Sequence, residues 1–309
     1  MLTLGLDTSN YTTSAAIVED DAILENRRTL LKTKEGQRGL RQSDALFQHW
    51  ENLPVLLAPV LEKYRDSIAM ISVSTTPRPQ NGSYMPVFNA GKAVAQIIAS
   101  ALCIPVYECS HQEGHIYAAA YQNQIDFTRP VICAHLSGGT LEVVRMEHGQ
   151  ITVLTETLDI SYGQLLDRIG VALGFSFPAG AGIDRLAMEF LRKQENKIWK
   201  NPFCPIHITD QGVNLSGLET QLFQKRNQFS PEEIAYAAMD RISENFRTLI
   251  RSVPGYDRNS QILISGGVAC SQFLRERLKN EHWKFGRQDL CSDNAVGTAL
   301  CAMHQKQAI

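Results

Sequence analysis

The feature that most constrains the fold is a strand meander that occurs twice in the chain. Residues 2–24 give an apolar run, a small polar turn, a second apolar run and an acidic turn, a pattern typical of consecutive strands. Residues 131–154 follow the same plan, with a Ser-Gly-Gly turn after the first strand. The two segments share a plan without sequence identity, so we predict two lobes of the same topology.

Helices and strands alternate in both halves of the chain. Apolar residues at helical spacing predict helices at 43–66, 89–102, 163–174, 182–195 and 231–252, and short apolar runs predict strands at 68–74, 104–107 and 261–265. Ser230 is the predicted N-cap of the helix 231–252, with Pro231 in its first turn. Segment 197–218 is predicted to be an irregular insertion. The alternation indicates an α/β fold with mixed sheets.

Composition narrows the class of protein. A chain of 309 residues suggests about two domains, and 30 Lys+Arg against 32 Asp+Glu exclude the overall basic charge of a general nucleic-acid binder. Any RNA contact must therefore use a local patch. Seven cysteines without a CxxC pair indicate buried thiols in a reducing compartment. With neither a leader-like N-terminus nor an apolar run of about 18 residues, we expect a cytoplasmic protein that does not enter membranes.

Two histidines, His111 and His115, follow the strand that is predicted to end near Tyr107. If this stretch is helical, positions i and i+4 share one face, and two imidazoles there can coordinate one metal ion. The alternative is two ordinary polar histidines at a helix start. The motif lacks the Glu that follows the first His in zinc proteases, which argues against a peptidase. The best third ligand is Asp293, although an Asp before a helix is usually only an N-cap.

Two Gly-rich turns follow strands, one at 137–139 and one at 265–267. Glycine lets backbone N–H groups approach phosphates closely, because it has no Cβ. Either turn alone is as well explained by a tight turn without a ligand. Two such turns at equivalent places favour a nucleotide held between the lobes, although neither is a P-loop or a GxGxxG motif.

Several of these segments, taken in order, resemble one known family. The matching stretches are LGLDTSNYTTSAAIV, HQEGH, LSGGT, DISYGQLLD, FPAG, NLSGL, SGGVACSQFLRERL and CSDNA. They resemble TsaD, the tRNA threonylcarbamoyladenosine transferase family once labelled O-sialoglycoprotein endopeptidase, and indicate a divergent paralogue. The resemblance implies the two-lobed actin/hexokinase/Hsp70-like ATPase fold with duplicated mixed sheets. It implies an N-terminal lobe at 1–128, completed by the C-terminal helix 294–309, and a C-terminal lobe at 129–293.

The resemblance also implies cofactors and binding residues. The implied ligands of one Fe or Zn ion are His111, His115 and Asp293. The implied nucleotide- and substrate-binding residues are His135, Leu136, Ser137, Gly138, Gly139, Asp167, Gly180 and Ser271. The implied nucleotide is of the ATP/AMP type, with threonylcarbamoyl-adenylate as substrate. In the implied reaction, the N6 amine of a tRNA adenosine attacks the carbamoyl group and AMP is released.

The chain departs from the family pattern at positions that carry chemistry. Tyr11 and Thr12 stand where the family has two acids, and Thr140 stands where its SGGH motif has histidine. Gln164 replaces a Glu, Ser271 replaces an Asn, and the loop 76–83 replaces a Gly-Pro-Gly turn. These departures leave the catalytic residues unassigned, with Asp7 and His135 as candidates.

Three functions remain open. The first is a metal-dependent threonylcarbamoyl transferase on tRNA, which needs a path of basic residues for the tRNA backbone. Basic residues on helices are otherwise explained as solvated helix faces. The candidates for this basic path are Arg185, Arg192, Lys193, Lys197, Lys200, Lys225, Arg226, Arg275, Arg277 and Lys279. The second is a carbamoyl-transfer enzyme with another acceptor. The third is a catalytically weakened regulatory or scaffold subunit that pairs with a true synthase. Implied partners are tRNA and either a TsaB-like protein or a second copy bound through the N-terminal lobe.

Overall fold

The computed structural model describes residues 1–9, 11–20, 22–33, 40–80, 82–194 and 199–307. The strands are β1 (Leu2–Ser9), β2 (Thr12–Glu19), β3 (Ala22–Leu30), β4 (Ile68–Thr76), β5 (Val106–Ser110), β6 (Val131–Leu136), β7 (Leu141–Glu147), β8 (Gln150–Glu156), β9 (Ile208–Thr209), β10 (Gly212–Val213), β11 (Gln261–Ser265) and β12 (Lys284–Phe285). The α-helices are α1 (Gln42–Tyr64), α2 (Phe88–Leu102), α3 (His111–Ala120), α4 (Tyr162–Ala172), α5 (Gly180–Lys193), α6 (Ser216–Lys225), α7 (Pro231–Ser252), α8 (Gln272–Leu278) and α9 (Val296–Gln307).

The chain forms two compact units. Unit 1 comprises Met1–Gln124 together with Asp289–Ile309, and unit 2 comprises Ile125–Gln288. The sequence places the lobe limits slightly later, after residues 128 and 293. The difference matters at Asp293, which belongs to the unit that also carries His111 and His115.

The two units repeat one sheet topology. Unit 1 has the strand order β3-β2-β1-β4-β5, and unit 2 has the order β8-β7-β6-β11-β12. In each, three antiparallel strands form a meander, and two further strands continue the sheet in parallel. The predicted duplication and the α/β class with mixed sheets are therefore confirmed.

Strand β1 is the centre of unit 1, and all eight of its residues are buried. Side chains alternate between the two faces of a strand. Leu4 and Leu6 join the apolar core with Leu53 and Leu57 of α1. Gly5 points to the other face, where an added Cβ would lie 2.3 Å from the carbonyl oxygen of Ala295. The missing side chain lets the start of α9 lie directly on the strand.

Unit 2 uses aspartates from distant positions to cap its helices. Asp159 accepts hydrogen bonds from the amides of Leu215 and Ser216 at the start of α6 (2.9 Å). Asp184 likewise accepts from Gln272 and Phe273 at the start of α8 (2.9 and 3.1 Å). Such carboxylates satisfy amide groups that lack partners within the helix and stabilise its positive end.

Most helix and strand predictions agree with these bounds. Ser230 is the N-cap of α7, as predicted, and it also forms a capping box with Glu233. Two details were wrong: the strand predicted at 104–107 is β5, which begins at Val106, and segment 197–218 contains the β9–β10 pair and the start of α6.

The cysteine prediction is correct in part. All seven cysteines are free thiols; Cys109, Cys133, Cys291 and Cys301 are buried, whereas Cys103 and Cys204 are exposed. Burial raises the pKa of Cys133 to about 12, so this thiol stays protonated. Across the described parts of the chain, no helix is long and apolar enough to cross a membrane.

Candidate metal centre and nucleotide site

The two histidines of the HxxxH motif lie at the start of α3 in unit 1. Ser110 is the N-cap: its hydroxyl accepts from the amide of Glu113 (3.2 Å), and Glu113 accepts from the amide of Ser110 (2.7 Å). This capping box fixes the helix start. His111 is therefore the first helical residue, and the Nε2 atoms of His111 and His115 approach to 3.0 Å.

Asp293 lies in a turn that precedes α9. Its neighbour Asn294 organises this turn, because its side-chain amide donates to the carbonyl oxygens of Leu290 and Ser292 (2.9 and 2.8 Å). The side-chain oxygen of Asn294 accepts from the amide of Val296 (3.0 Å) and caps the helix. The sequence left open that Asp293 itself is the cap; the structure gives that role to Asn294 and leaves the Asp293 carboxylate for other contacts.

The three predicted ligands converge. Asp293 Oδ1 lies 3.7 Å from Nε2 of His111 and 3.5 Å from Nε2 of His115. Ligand atoms bound tetrahedrally at about 2.1 Å from one ion lie about 3.4 Å apart, so these spacings suit an Fe or Zn ion. Among the described residues, this is the one group of three or more metal-ligating side chains whose donor atoms meet in this way. Two imidazoles and one carboxylate fit the implied ion.

Two further residues of unit 1 contact this centre. Asp7 Oδ2 lies 3.0 Å from Nδ1 of His111, and Thr12 Oγ1 donates to Oδ2 of Asp293 at 3.4 Å. Burial alone would lower the pKa of His111, but the carboxylates of Asp7 and Asp293 raise it to about 9. The two carboxylates therefore stabilise a positive charge at this position, and they would stabilise a bound cation in the same way.

The predicted phosphate-binding turn joins β6 to β7 in unit 2. The amide of Ser137 donates to the carbonyl oxygen of Thr140 (2.8 Å), and the amide of Thr140 donates to the Ser137 hydroxyl (3.1 Å). A Cβ on Gly138 or Gly139 would meet nothing within 4 Å. The amides of these two glycines make no hydrogen bond with any part of the chain that the structure describes. The turn thus exposes the backbone amides of both glycines to solvent, as an anion-binding turn requires.

Helix α4 begins directly against this turn. A Cβ on Gly163 would lie 2.5 Å from the carbonyl oxygen of Ser137, and the Ser161 hydroxyl donates to the carbonyl oxygen of Gly138 (2.8 Å). Ser161 and Gln164 form a capping box at the helix start. A Gln serves this box as well as a Glu does, which gives the replacement at Gln164 a structural role.

The residues expected near ribose and adenine already have partners in the protein. Oδ1 of Asp167 accepts from the amides of Ala179 and Gly180 (2.8 and 3.1 Å) and caps α5. No described residue donates to its other carboxylate oxygen. Ser271 caps α8 by accepting from the amide of Leu274 (3.0 Å), while its hydroxyl donates to Asp184. Asp167 thus keeps an oxygen for a ligand, whereas the Ser271 hydroxyl already has two partners.

His135 and Leu136 end strand β6, just before the turn. Leu136 is fully buried and offers a ligand no exposed surface in this structure. Nδ1 of His135 lies 3.0 Å from the hydroxyl of Ser265 on β11, and Glu142 is its cross-strand partner on β7. The structure therefore places His135 among polar residues at the end of the strand, rather than in the apolar core.

Six residues of the predicted basic path make contacts within unit 2. The engaged residues are Arg185 over Phe175, Lys225 over Phe203, Arg226 on Phe223, Arg275 on Ala269 and Gly286, Arg277 on Asp240, and Lys279 on Glu276. The exposed residues of the path are Arg185, Arg192, Lys193, Lys200, Arg226 and Lys279. Lys197 lies outside the described residues, as do Asn10 of the first turn and Asn81 of the loop 76–83.

Sequence reasoning missed the contact between Asp7 and His111 and the capping aspartates Asp159 and Asp184. Asp7 was named as a candidate, but nothing in its surroundings indicates a partner 104 positions later. The caps bridge 56 and 88 positions. No local pattern could have identified these pairs.

One known protein family matches most of this chain. The model of the TsaD family, tRNA N6-adenosine threonylcarbamoyltransferase, matches residues 23–300. A protein of that name from Neorickettsia sennetsu is 27% identical over 99% of this chain and 94% of its own length. A probable bifunctional tRNA threonylcarbamoyladenosine biosynthesis protein from Thermoplasma acidophilum is 27% identical over 98% of this chain and 56% of its own length.

Solved structures at low identity confirm the fold. HypF from T. kodakarensis matches 99% of this chain with a TM-score of 0.60 at 13% identity, and the chain spans 48% of that protein. A ROK family glucokinase from Streptomyces griseus matches 98% of the chain with a TM-score of 0.53 at 12% identity. The predicted actin/hexokinase/Hsp70-like ATPase fold is confirmed.

Proposed function

The chain belongs to the TsaD family of tRNA N6-adenosine threonylcarbamoyltransferases, and from this premise we propose that it transfers a threonylcarbamoyl group from its adenylate to a tRNA adenosine. The observation that carries the proposal is the convergence of His111, His115 and Asp293 within unit 1. A protein that serves only as a scaffold needs no set of three ligating side chains around one point. We therefore assign the chain an active, metal-dependent role.

His111, His115 and Asp293 would hold one Fe or Zn ion. Two imidazoles and one carboxylate leave further coordination positions open. When bound, such an ion supplies Lewis-acid polarisation of a substrate oxygen. The second acid near it, Asp7, adds negative charge, which favours a cation over a neutral ligand at this position.

The adenylate would be held by unit 2. The exposed amides of Gly138 and Gly139 suit its phosphate, and the unoccupied oxygen of Asp167 suits a ribose hydroxyl. In the transfer, the N6 amine of the adenosine bonds to the carbamoyl carbon and loses a proton. The bond from that carbon to the phosphate oxygen breaks, and AMP leaves with the electron pair.

Reconstitution tests this proposal. The chain would be incubated with Zn²⁺ or Fe²⁺, threonylcarbamoyl-adenylate, tRNA and the family's partner proteins, and the modified nucleoside would be measured by mass spectrometry. We expect metal-dependent formation of threonylcarbamoyladenosine that is lost in Asp293→Asn. No product with the wild-type chain, or equal product with the variant, contradicts the proposal.

A second candidate is a regulatory or scaffold subunit. It is favoured by Tyr11 and Thr12, which stand where the resemblance places two acids. A third is carbamoyl transfer to another acceptor, which needs the same ion and nucleotide. Release of AMP from the adenylate without tRNA modification would favour another acceptor. Stimulation of a full synthase, with no turnover by the chain alone, would favour the regulatory role.

The proposed partners are tRNA and a TsaB-like protein or a second copy. Helix α1 of unit 1 exposes Phe47, Trp50 and Val55, with relative exposures of 64%, 45% and 73%. An exposed apolar helix face is a typical protein contact, and it supports a partner on this unit. For tRNA, Arg192 and Lys193 are exposed phosphate-binding candidates; affinity that is insensitive to salt would exclude them.

A further inference from the structure

Asp7 is enclosed at the centre of unit 1. Its side chain is 1% exposed, and it lies on the central strand β1. One carboxylate oxygen accepts from the hydroxyl of Ser74 on the adjacent strand β4. The other lies 3.0 Å from Nδ1 of His111. Both oxygens are therefore committed to protein partners.

A buried carboxylate is unfavourable unless charge and hydrogen bonds compensate it. The Ser74 hydroxyl supplies one neutral hydrogen bond. The remaining compensation must come from the imidazole of His111. For that ring to donate to Asp7, its proton must lie on Nδ1. The Nε2 lone pair then faces His115 and Asp293, which lie 3.0 and 3.7 Å from it.

We propose that Asp7 is a positioning residue of the metal centre and not a catalytic residue. Its carboxylate holds His111 in the tautomer with Nδ1 protonated and fixes the ring so that Nε2 is directed at the ion. Carboxylates of this kind orient metal-binding histidines and increase their basicity. The inference rests on the proposed function for the presence of the ion, and it gives Asp7 a role that requires no contact with substrate.

The contacts argue against a direct role for Asp7. A metal ligand would have to approach the Nε2 side of His111, whereas Asp7 lies on the Nδ1 side. A catalytic acid or base would need an oxygen free for the substrate, whereas both oxygens of Asp7 have protein partners in the structure. The orienting role fits both the burial and the contacts.

Metal affinity tests this inference without measuring turnover. Zn²⁺ affinity would be determined by competition with a chromophoric chelator for wild type, Asp7→Asn and Asp66→Asn. Asp66 is the matched control because it is an acid of the same unit with a side chain 92% exposed. We expect about 10–100-fold weaker binding for Asp7→Asn and no change for Asp66→Asn. Equal affinity of Asp7→Asn and wild type overturns the inference.

A measurement on the wild type covers the case in which Asp7→Asn does not fold. Nitrogen-15 NMR of the Zn²⁺-loaded protein reports which ring nitrogen of His111 carries the proton. A proton on Nδ1 supports the inference, and a proton on Nε2 overturns it. Asp7→Glu, which restores the carboxylate, should recover part of any lost affinity. Tight Zn²⁺ binding without tRNA modification would contradict the proposed function while supporting the role of Asp7.

Discussion

A β-carbon on Gly297 would lie 1.8 Å from the carbonyl oxygen of Gly114 and 2.7 Å from the amide nitrogen of Ala118. Helices α9 and α3 therefore touch backbone to backbone at this point. Helix α3 carries His111 and His115, and Asp293 lies in the turn before α9. The contact between the two glycines thus sets the distance between the paired histidines and the Asp293 carboxylate.

The first prediction is that Gly297→Ala weakens both unit 1 and its metal site. The added methyl group must push the helices apart, and overpacking of this kind costs about 1–3 kcal/mol. Urea unfolding and Zn²⁺ titration check the two effects. Gly217→Ala is the control, because a Cβ at this position in α6 meets nothing within 4 Å. Equal losses in both variants would contradict a specific role for the α3–α9 contact.

The second prediction concerns stabilisation by metal. A ligand that binds only the folded protein, present at 100 times its dissociation constant, stabilises it by about 2.7 kcal/mol. Zn²⁺ should therefore raise the melting temperature of the wild type, and a chelator should reverse the shift. His115→Ala should abolish the shift, whereas His148→Asn, in an exposed turn, should keep it. A shift that persists in His115→Ala would place the ion elsewhere.

The third prediction separates nucleotide binding from helix capping. Asp167 and Asp159 each cap a helix of unit 2, but only Asp167 is implied in nucleotide binding. Asp167→Ala and Asp159→Ala should both lower the free energy of unfolding, by about 1 kcal/mol. In calorimetry with ATP, only Asp167→Ala should weaken binding. Weaker binding in both variants would indicate loss of structure rather than loss of a ribose contact.

The strands, helices and caps that depend on local periodicity could be predicted from the sequence. The duplicated meander was visible because strand alternation repeats every two residues in 2–24 and again in 131–154. The approach of His111 to His115 followed from helical spacing alone. The N-cap at Ser230 was found at the predicted position for a similar reason, since a cap and the amide it accepts from lie within one helical turn.

Contacts between residues that are far apart in the chain could not be predicted from the sequence pattern. Asp293 could be offered as a third ligand from the sequence, but its approach to His115 across 178 positions could not be predicted from spacing. Its place in unit 1 depends on α9 returning to strand β1 at Gly5. The contacts that basic-path residues make within unit 2 could not be predicted for a similar reason. Arg277 was a candidate for the basic path in the sequence, whereas in the structure its guanidinium pairs with the buried Asp240.

The fourth prediction concerns pH and the buried His49. This residue of α1 is fully buried, and its Nδ1 lies 2.8 Å from the hydroxyl of Thr13. Burial lowers its pKa from 6.5 to about 4, against an opposing effect of Asp7. Between these two values the unfolded chain binds a proton that the folded chain does not. The free energy of unfolding therefore falls as the pH falls through this window.

The expected loss from His49 between pH 7 and pH 5 is about 2 kcal/mol. Urea unfolding at the two values, for wild type, His49→Asn and His148→Asn, checks it. Removal of His49 should flatten the pH dependence, while removal of the exposed His148 should leave it unchanged. The same slope in His49→Asn as in the wild type would show that His49 titrates normally in the folded protein.

The last prediction concerns the rate of transfer. Thr12 stands where the resemblance places an acid, and its hydroxyl donates to Asp293 at 3.4 Å, so a neutral group lies beside this proposed metal ligand. Thr140 likewise stands where the resemblance places a histidine, and its amide closes the turn 137–140 by donating to the Ser137 hydroxyl. General acid/base assistance typically contributes about 10²–10⁴-fold, so we expect transfer slower by up to that factor than in a family member that keeps these groups. Initial rates measured side by side, at saturating threonylcarbamoyl-adenylate and tRNA, test this expectation. Equal rates would mean that the acids and the histidine do not limit the reaction.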